Sequence, residues 1–443
     1  MTSARNRELL ALVPVALLLT AGFAAVFAQE EARVGNASLI YGAYFLGLCL
    51  ATHLYLRIRL PNADPYLFPL VALLTAFGLV MIYRIDDGLA RDQANWFVLG
   101  LILFALTIQF LRDYEVLERY RYTIAGAGLL LLLAPRLPGI GQQVNGAYLG
   151  VDIGPLAFQP AEFAKIAIVV FLASYLRENR EVLIVGAKRV LGVTLPPLKH
   201  FGPMLVVWGA SMFMLVFIRD LGSSLMFFAA FLALLYVATG RFSFVVIGMA
   251  LFAVGAWFIA NTVPHVHDRI EIWLDPYQDP TESGYQILQS IFAQADGGLF
   301  GQGFGQALIV IPDGGGPLLP AAQTDLIYSL IVNEVGLFGA CGLIAVYLLI
   351  AARGFKIALL ASDGFSKLLA TGLTAVFSIQ AFVIIGGVTR VIPLTGVTLP
   401  FVSYGGSSIV ANFVLLALLL LISDRARREA AEPGGRDLAF GRA

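Results

Sequence analysis

The sequence predicts an all-α polytopic integral membrane protein of about twelve transmembrane helices, with a large extracytoplasmic loop between the ninth and tenth. Three observations carry that prediction. Of the 443 residues, 59% are hydrophobic and only 13% charged, whereas soluble domains carry roughly 25% charge. The mean hydropathy is +0.83. Apolar runs near the ~20 residues that a bilayer requires recur from end to end. Lysine plus arginine and aspartate plus glutamate both total 29, so no basic excess suggests a nucleic-acid partner. Membrane lipids are the partner that this composition demands. Cys49 and Cys341 lie inside apolar runs and read as small core hydrophobes, without disulfide or metal spacing.

Taken in order, the expected spans are 9–28, 39–56, 67–83, 96–111, 122–134, 160–176, 203–218, 223–238, 242–263, 324–352, 368–388 and 406–423. The first two form an addition over 1–60 to a core over 61–423, with 263–323 as the outer loop. Arg5 and Arg7 before the first run resemble a signal peptide, but the run exceeds the ~7–15 residues of such a segment. A retained helix is therefore expected. Alternate loops differ in lysine and arginine: one set holds Arg57, Arg59, Arg112, Arg119, Arg121, Arg177, Arg180, Lys188, Arg189, Arg241, Arg353, Lys356 and Arg425, the other only a few. The bias puts both termini in the cytoplasm and the 263–323 loop outside. Residues 177–200 mix charge with apolar clusters and suggest an interfacial helix. The 424–443 tail is charged and expected to be disordered.

Asp325 organises the chain. It precedes a long apolar run and follows the longest polar stretch, so its carboxylate sits at the mouth of a membrane helix, where contacts count for more than in water. An N-cap role, accepting a backbone N–H at the helix start, accounts for an acid there equally well. Other costly charges are Glu162 and Lys165, three apart on one helix face, able to neutralise each other or to present both signs to a ligand. Asp220 lies in a tight outer turn, where such residues are common. Glu334 is expected to be buried and paired. His265 and His267 are weak as metal ligands. Tyr285, Gln286, Gln289 and Ser290 share helical spacing, and Gly297–Gly305 either cradles phosphate or forms a re-entrant loop. Ser403, Tyr404, Ser407 and Ser408 open the last helix, whose N-terminus could face an anion.

Gln159-Pro-Ala-Glu-Phe-Ala-Lys165, Asp220-Leu-Gly222, Gly284-Tyr-Gln-Ile-Leu-Gln-Ser290, Gln323-Thr-Asp325, Pro393-Leu-Thr-Gly396 and Leu399-Pro-Phe-Val-Ser-Tyr-Gly-Gly-Ser-Ser408 occur in that order. The ordered set closely resembles the SEDS family of RodA, FtsW and SpoVE over about 67–423. The resemblance implies a roughly ten-helix core in the bacterial plasma membrane that polymerises lipid II into glycan strands for elongation or division, releasing undecaprenyl diphosphate. It implies a class B penicillin-binding protein as partner. It maps the catalytic aspartate onto Asp325 and important charges onto Glu162 and Lys165. Two departures stand out: Gln323 where the family has His, and Tyr148-Leu149 after Asn145-Gly-Ala147 where it has a basic and aromatic pair. The stretch 313–317 resembles a small insertion, and the first two helices resemble the extended N-termini of some actinobacterial members.

The chemistry expected is deprotonation of a sugar hydroxyl by Asp325, with Thr324 beside it. Lys165, Arg219, Arg269 or a divalent cation (Mg or Mn) would stabilise the departing diphosphate. A lipid II flippase is the alternative, which predicts essential charges at mid-membrane and on both faces; a scaffold would tolerate loss of Asp325.

Overall fold

The structure, a computed structural model, describes residues 4–29, 36–144, 147–153, 156–185, 188–190, 193–195, 202, 209, 212, 217, 220–262, 264–311 and 316–431. The helices in chain order are α1 (Ala4–Gln29), α2 (Asn36–Arg59), α3 (Leu67–Ile85), α4 (Asp87–Phe110), the single turn α5 (Val116–Arg119), α6 (Arg121–Leu133) and α7 (Pro160–Val185). They continue with α8 (Leu221–Thr239), α9 (Phe242–Thr262), α10 (Pro264–Leu274), α11 (Tyr285–Gly297), α12 (Ile327–Leu360), α13 (Gly364–Val388) and α14 (Gly406–Ala431). Among the described residues, seven helices are long and apolar enough to cross a membrane. The chain is thus a helical multi-pass membrane protein. The expected span 203–218 lies almost wholly outside the described residues. At 13 residues, α6 is about 20 Å long, short of a ~30 Å hydrocarbon core.

The backbone divides into two compact units, Met1–Ala105 with Ala260–Arg353 and Gln380–Leu416, and Leu106–Ile259 with Gly354–Ile379 and Ala417–Ala443. In the first, α1 packs on α2 and α3. Its aromatic core joins Phe45, Phe97, Phe104, Phe401 and Phe413, with Phe45 stacked on Phe97 at 4.9 Å and Phe401 edge-on to Phe413 at 5.1 Å. Such pairs add about 0.5–1.5 kcal/mol each beyond area burial. In the second unit α7 packs against α6 and α8. Gly372 lets α13 approach α7: a Cβ there would lie 2.6 Å from Val169 Cγ1.

The structure corrects four expectations. Residues 141–158 form a three-stranded antiparallel sheet, β1 (Gly141–Val144), β2 (Ala147–Ile153) and β3 (Leu156–Phe158), so the fold is not wholly helical. Its short segments alternate apolar and polar residues between glycines, a strand pattern. Among the described residues of 177–200 there is no separate interfacial helix: α7 runs on to Val185, and β4 (Lys188–Val190) pairs with β5 (Val193–Leu195), where β-branched Val190, Val193 and Thr194 favour strands. The last helix continues past Ser423 to Ala431, held by the Arg425–Glu429 pair one turn apart at 2.9 Å and by Arg425–Glu115 at 2.8 Å. The rest of the tail, and 313–315 of the suggested insertion, lie outside the described residues. Cys49 is buried, but Cys341 is exposed on α12.

One feature of the first unit bears on the site. α12 is broken at Gly336, with φ 69° and ψ −178°. The glycine-rich loop after α11 fills the break: Gln302 N donates to Asn333 O (2.8 Å) and Gly303 N to Glu334 O (3.0 Å). In return Leu337 N donates to Gly298 O (2.9 Å) and Phe338 N to Leu299 O (3.1 Å). Backbone groups freed by a broken membrane helix must be paired within the protein, and here the loop pairs them. A Cβ at Gly301 would meet Glu334 O at 2.2 Å, and one at Gly336 would meet Gly301 N at 2.3 Å. The loop is thus a structural brace. Glu334, buried at the break, pairs with Arg84 at 3.3 Å, and Arg84 also donates to Gly305 O and Ala307 O.

Candidate functional site

Asp325 stands two residues before α12, in a turn that other segments of the first unit hold in place. Ala321 O accepts from Thr324 N and Leu326 N, both at 3.1 Å. Ser403 Oγ donates to Thr324 O (2.7 Å) and accepts from Leu399 N (2.9 Å), while Tyr404 N donates to Gln323 O (2.8 Å). Gln93 on α4 closes this cradle, donating to Ser403 O and accepting from Gly405 N, each at 3.2 Å. The Phe-Val-Ser-Tyr-Gly-Gly segment therefore clamps the backbone on either side of the acid. Ser403, Ser407 and Ser408 are buried, and Ser408 Oγ accepts from Asn412.

The other wall is the loop after α13. Arg269 of α10 donates to Leu394 O (2.8 Å), Trp273 Nε1 to Arg390 O (3.0 Å) and Arg390 Nε back to Trp273 O (3.1 Å). This pins α10 to residues 390–394 and brings Gly396 beside the acid: a Cβ on Gly396 would lie 3.8 Å from Asp325 Oδ2. Among the described residues, the non-glycine positions with positive φ are Ala321 (51°), Arg390 (59°) and Phe401 (65°). All three fall in the segments that frame Asp325. Such backbones cost of order 1–3 kcal/mol each and persist only where surrounding contacts impose them.

Asp325 itself caps nothing. Its carboxylate makes no hydrogen bond to any described residue, whereas a cap would accept a backbone N–H. Asp220 shows what a cap looks like: its carboxylate accepts from Ser223 N (2.9 Å) and Ser223 Oγ (2.6 Å) at the start of α8. The Asp325 side chain keeps an accessible edge, but the protein around it pushes its carboxyl up to about 6, burial dominating and the Arg269 charge pulling the other way. A carboxylate with that affinity for protons, unpaired and reachable, is suited to general-base work near neutral pH.

The remaining predicted residues divide by location. Arg269, Thr324, Ser403 and Tyr404 surround Asp325 in the first unit. Tyr285, Gln286, Gln289 and Ser290 lie on α11 in the same unit. Of these, Ser290 is committed to Ser329 Oγ (2.7 Å) and Val388 O (3.0 Å), and Tyr285 OH donates to Pro317 O (3.2 Å). Glu162, Lys165 and Asp220 belong to the second unit. There Lys165 Nζ donates to Glu162 Oε2 at 2.5 Å, both side chains almost fully buried. Arg219 lies outside the described residues. The sequence reading did not identify Gln93, Trp273, Thr395 and Thr398. Thr395 Oγ1 and Thr398 Oγ1 are buried without partners on the loop that carries Gly396, and only the Pro-Leu-Thr-Gly motif hinted at them.

Comparison with known proteins shows the family. The chain is 42% identical to the peptidoglycan glycosyltransferase RodA of Mycobacterium tuberculosis over 435 residues, 96% of this chain and 91% of the relative. It is similar to a solved structure described as "Structural coordination of polymerization and crosslinking by a peptidoglycan synthase complex", at TM-score 0.66 and 28% identity, covering 84% of this chain and 99% of that one. The crystal structure of Thermus thermophilus rod shape determining protein RodA matches at TM-score 0.58 and 26% identity, covering 84% and 98%. Residues 65–428 match the family model FTSW_RODA_SPOVE, described as cell cycle protein. The chain belongs to the FtsW/RodA/SpoVE family.

Proposed function

We propose that the chain is a peptidoglycan glycosyltransferase of the RodA type, polymerising lipid II into glycan strands with Asp325 as general base. The observation that carries the reading is Asp325 itself: strained backbone holds it, no described residue hydrogen-bonds it, and its proton affinity is raised. In the reaction the acceptor's 4-hydroxyl gives its proton to an Asp325 oxygen as its own oxygen forms the bond to the donor's anomeric carbon. The bond from that carbon to the diphosphate breaks, and undecaprenyl diphosphate leaves with the electron pair. One base and a good leaving group suit a single inverting displacement, with about 10²–10⁴ in rate from the base. Arg269, whose charge acts on Asp325, stabilises the departing diphosphate.

No three His, Cys, Asp or Glu gather among the described residues; a divalent cation (Mg or Mn) would be held mainly by the diphosphate oxygens with one or two carboxylates. Hydrocarbon tails have a place to lie: an apolar groove of about 630 Å³ in the first unit, lined by Leu18, Gly22, Leu73, Phe77, Phe304 and Leu343. The lysine and arginine bias supports cytoplasmic termini in the plasma membrane and an outer-face site. Likeness to a synthase complex supports a class B penicillin-binding protein as partner. The RodA similarity over 96% of the chain extends into the two N-terminal helices and supports an elongation role.

The test is polymerisation of labelled lipid II by the purified protein with its partner. Wild type should make glycan, and Asp325→Ala, folded by thermal melt, should make none. Equal polymer from both would remove Asp325 as base. Lipid II crossing liposomes with no polymer would favour a flippase.

A further inference from the structure

Beside α11 lies a cavity of about 230 Å³ that the reaction above leaves unused. α11 contributes Gln289, Phe292 and Asp296 to its wall, the glycine loop Gln302 and Gln306, and α12 Asn333. All belong to the first unit. No lysine, arginine or histidine lines it, and its one charge is the Asp296 carboxylate, which repels phosphates and carboxylates. Four carboxamides face Leu308, Leu318, Leu319 and Leu330, a mixed polar and apolar wall that suits a sugar ring better than a hydrocarbon tail.

Those amides retain hydrogen-bonding capacity. The side chains of Gln289 and Gln306 bond to none of the described residues. Asn333, 6% exposed, donates from Nδ2 to Ala293 O at 2.8 Å, while its Oδ1 is buried without a partner. A buried acceptor without a donor is unfavourable, and a ligand hydroxyl or amide would satisfy it. Phe292, 44% exposed, adds an aromatic edge. The volume is below the ~300–1,000 Å³ of drug-sized sites, on the scale of a single pyranose ring. Asn333 lies six residues into α12, about 9 Å along the axis from its start, and Asp325 is not among the residues that line the cavity.

We propose that this cavity is a saccharide subsite that holds one ring of the glycan strand away from the reacting bond. The proposal rests on the polymerase reading and adds to it a grip on the strand between additions. The experiment is titration of the purified full-length chain with tetra-N-acetylchitotetraose, a neutral peptide-free oligosaccharide, followed by saturation-transfer NMR. Wild type and Asp325→Asn should bind it alike. Gln306→Leu, at an exposed position, and Gln289→Leu should each weaken binding at least about tenfold, the loss expected for a hydrogen bond, and shorten the strands made from lipid II. Unchanged binding in both variants, or binding of an acidic tetrapeptide in place of the oligosaccharide, would overturn the subsite. Polymerisation without oligosaccharide binding would overturn it and leave the polymerase reading intact. Binding without polymerisation would do the reverse.

Discussion

The Glu162–Lys165 pair and Asp325 are both charges near a helix start in a membrane protein, and they are held in opposite ways. Glu162 sits in the first turn of α7, behind Pro160, and meets Lys165 one turn on at 2.5 Å with both side chains buried. Its charge is neutralised locally. No described side chain hydrogen-bonds the Asp325 carboxylate; the contacts that fix it go to the backbone of its neighbours, through Ser403 and Tyr404. The difference separates a charge neutralised by its neighbour from one that no described residue hydrogen-bonds. Pairing the second would lower its proton affinity, and with it the usefulness of the group as a base near neutral pH.

The largest expected effect tests that division. Asp325→Asn should cut the polymerisation rate by about 10²–10⁴ with little change in the thermal melt. In the pair, Lys165→Met alone should destabilise by about 3–5 kcal/mol, because it leaves a buried carboxylate uncompensated. The double change Glu162→Leu with Lys165→Met should recover much of that in melting experiments, unless the pair itself binds substrate. In that case stability returns and activity does not. Next comes Gly336→Ala, where φ is 69° and a Cβ would meet Gly301 N at 2.3 Å. It should melt lower by several degrees, as a loss of about 1–3 kcal/mol at a strained position implies.

A smaller effect is in pH. With the Asp325 carboxyl pushed up to about 6, the rate should fall roughly tenfold per pH unit below about 6 and level off above it. Stability runs the other way. The folded carboxyl keeps its proton to about 6 while an unfolded aspartate loses it near ~3.9. Its contribution therefore favours the folded state below that lower value and is lost as pH rises through 6. The smallest shift belongs to Arg269→Gln: removing a charge that lowers the carboxyl's pKa should move the acid limb of the pH–rate curve upward. A limb that stays in place would show that the Arg269 charge does not act on the Asp325 carboxyl.

Much of this was legible in the sequence because membrane helices and catalytic acids follow from local chemistry. Composition and apolar runs disclosed the helices, and the placement of Asp325 between polar loop and apolar run disclosed the acid. What distinguishes a capping carboxylate from an unbonded one was not legible: it depends on which N–H groups reach the carboxylate, and the turn that carries it is held by residues 390–405, far along the chain. The glycine run at 297–305 was readable as phosphate cradle or re-entrant loop. Only the break at Gly336, some thirty residues on, shows that its backbone is already used. The small sheet at 141–158 was missed because its alternation is short and lies among longer apolar runs.

The insertion of the glycine loop into α12 also bears on how the protein assembles. Gln302 and Asn333 lie closer in the chain than the partners that frame Asp325, so less loop entropy is lost in bringing them together, and the brace can form once α12 enters the bilayer. The cradle of Asp325 closes over much longer intervals: Ser403 to Thr324 spans 79 residues and Gln93 to Gly405 spans 312. Contacts of that range form late. A nascent chain released before residue 390 would hold a braced α12 and an aspartate without its frame, so the pocket around Asp325 is completed only by the final stretch of the chain.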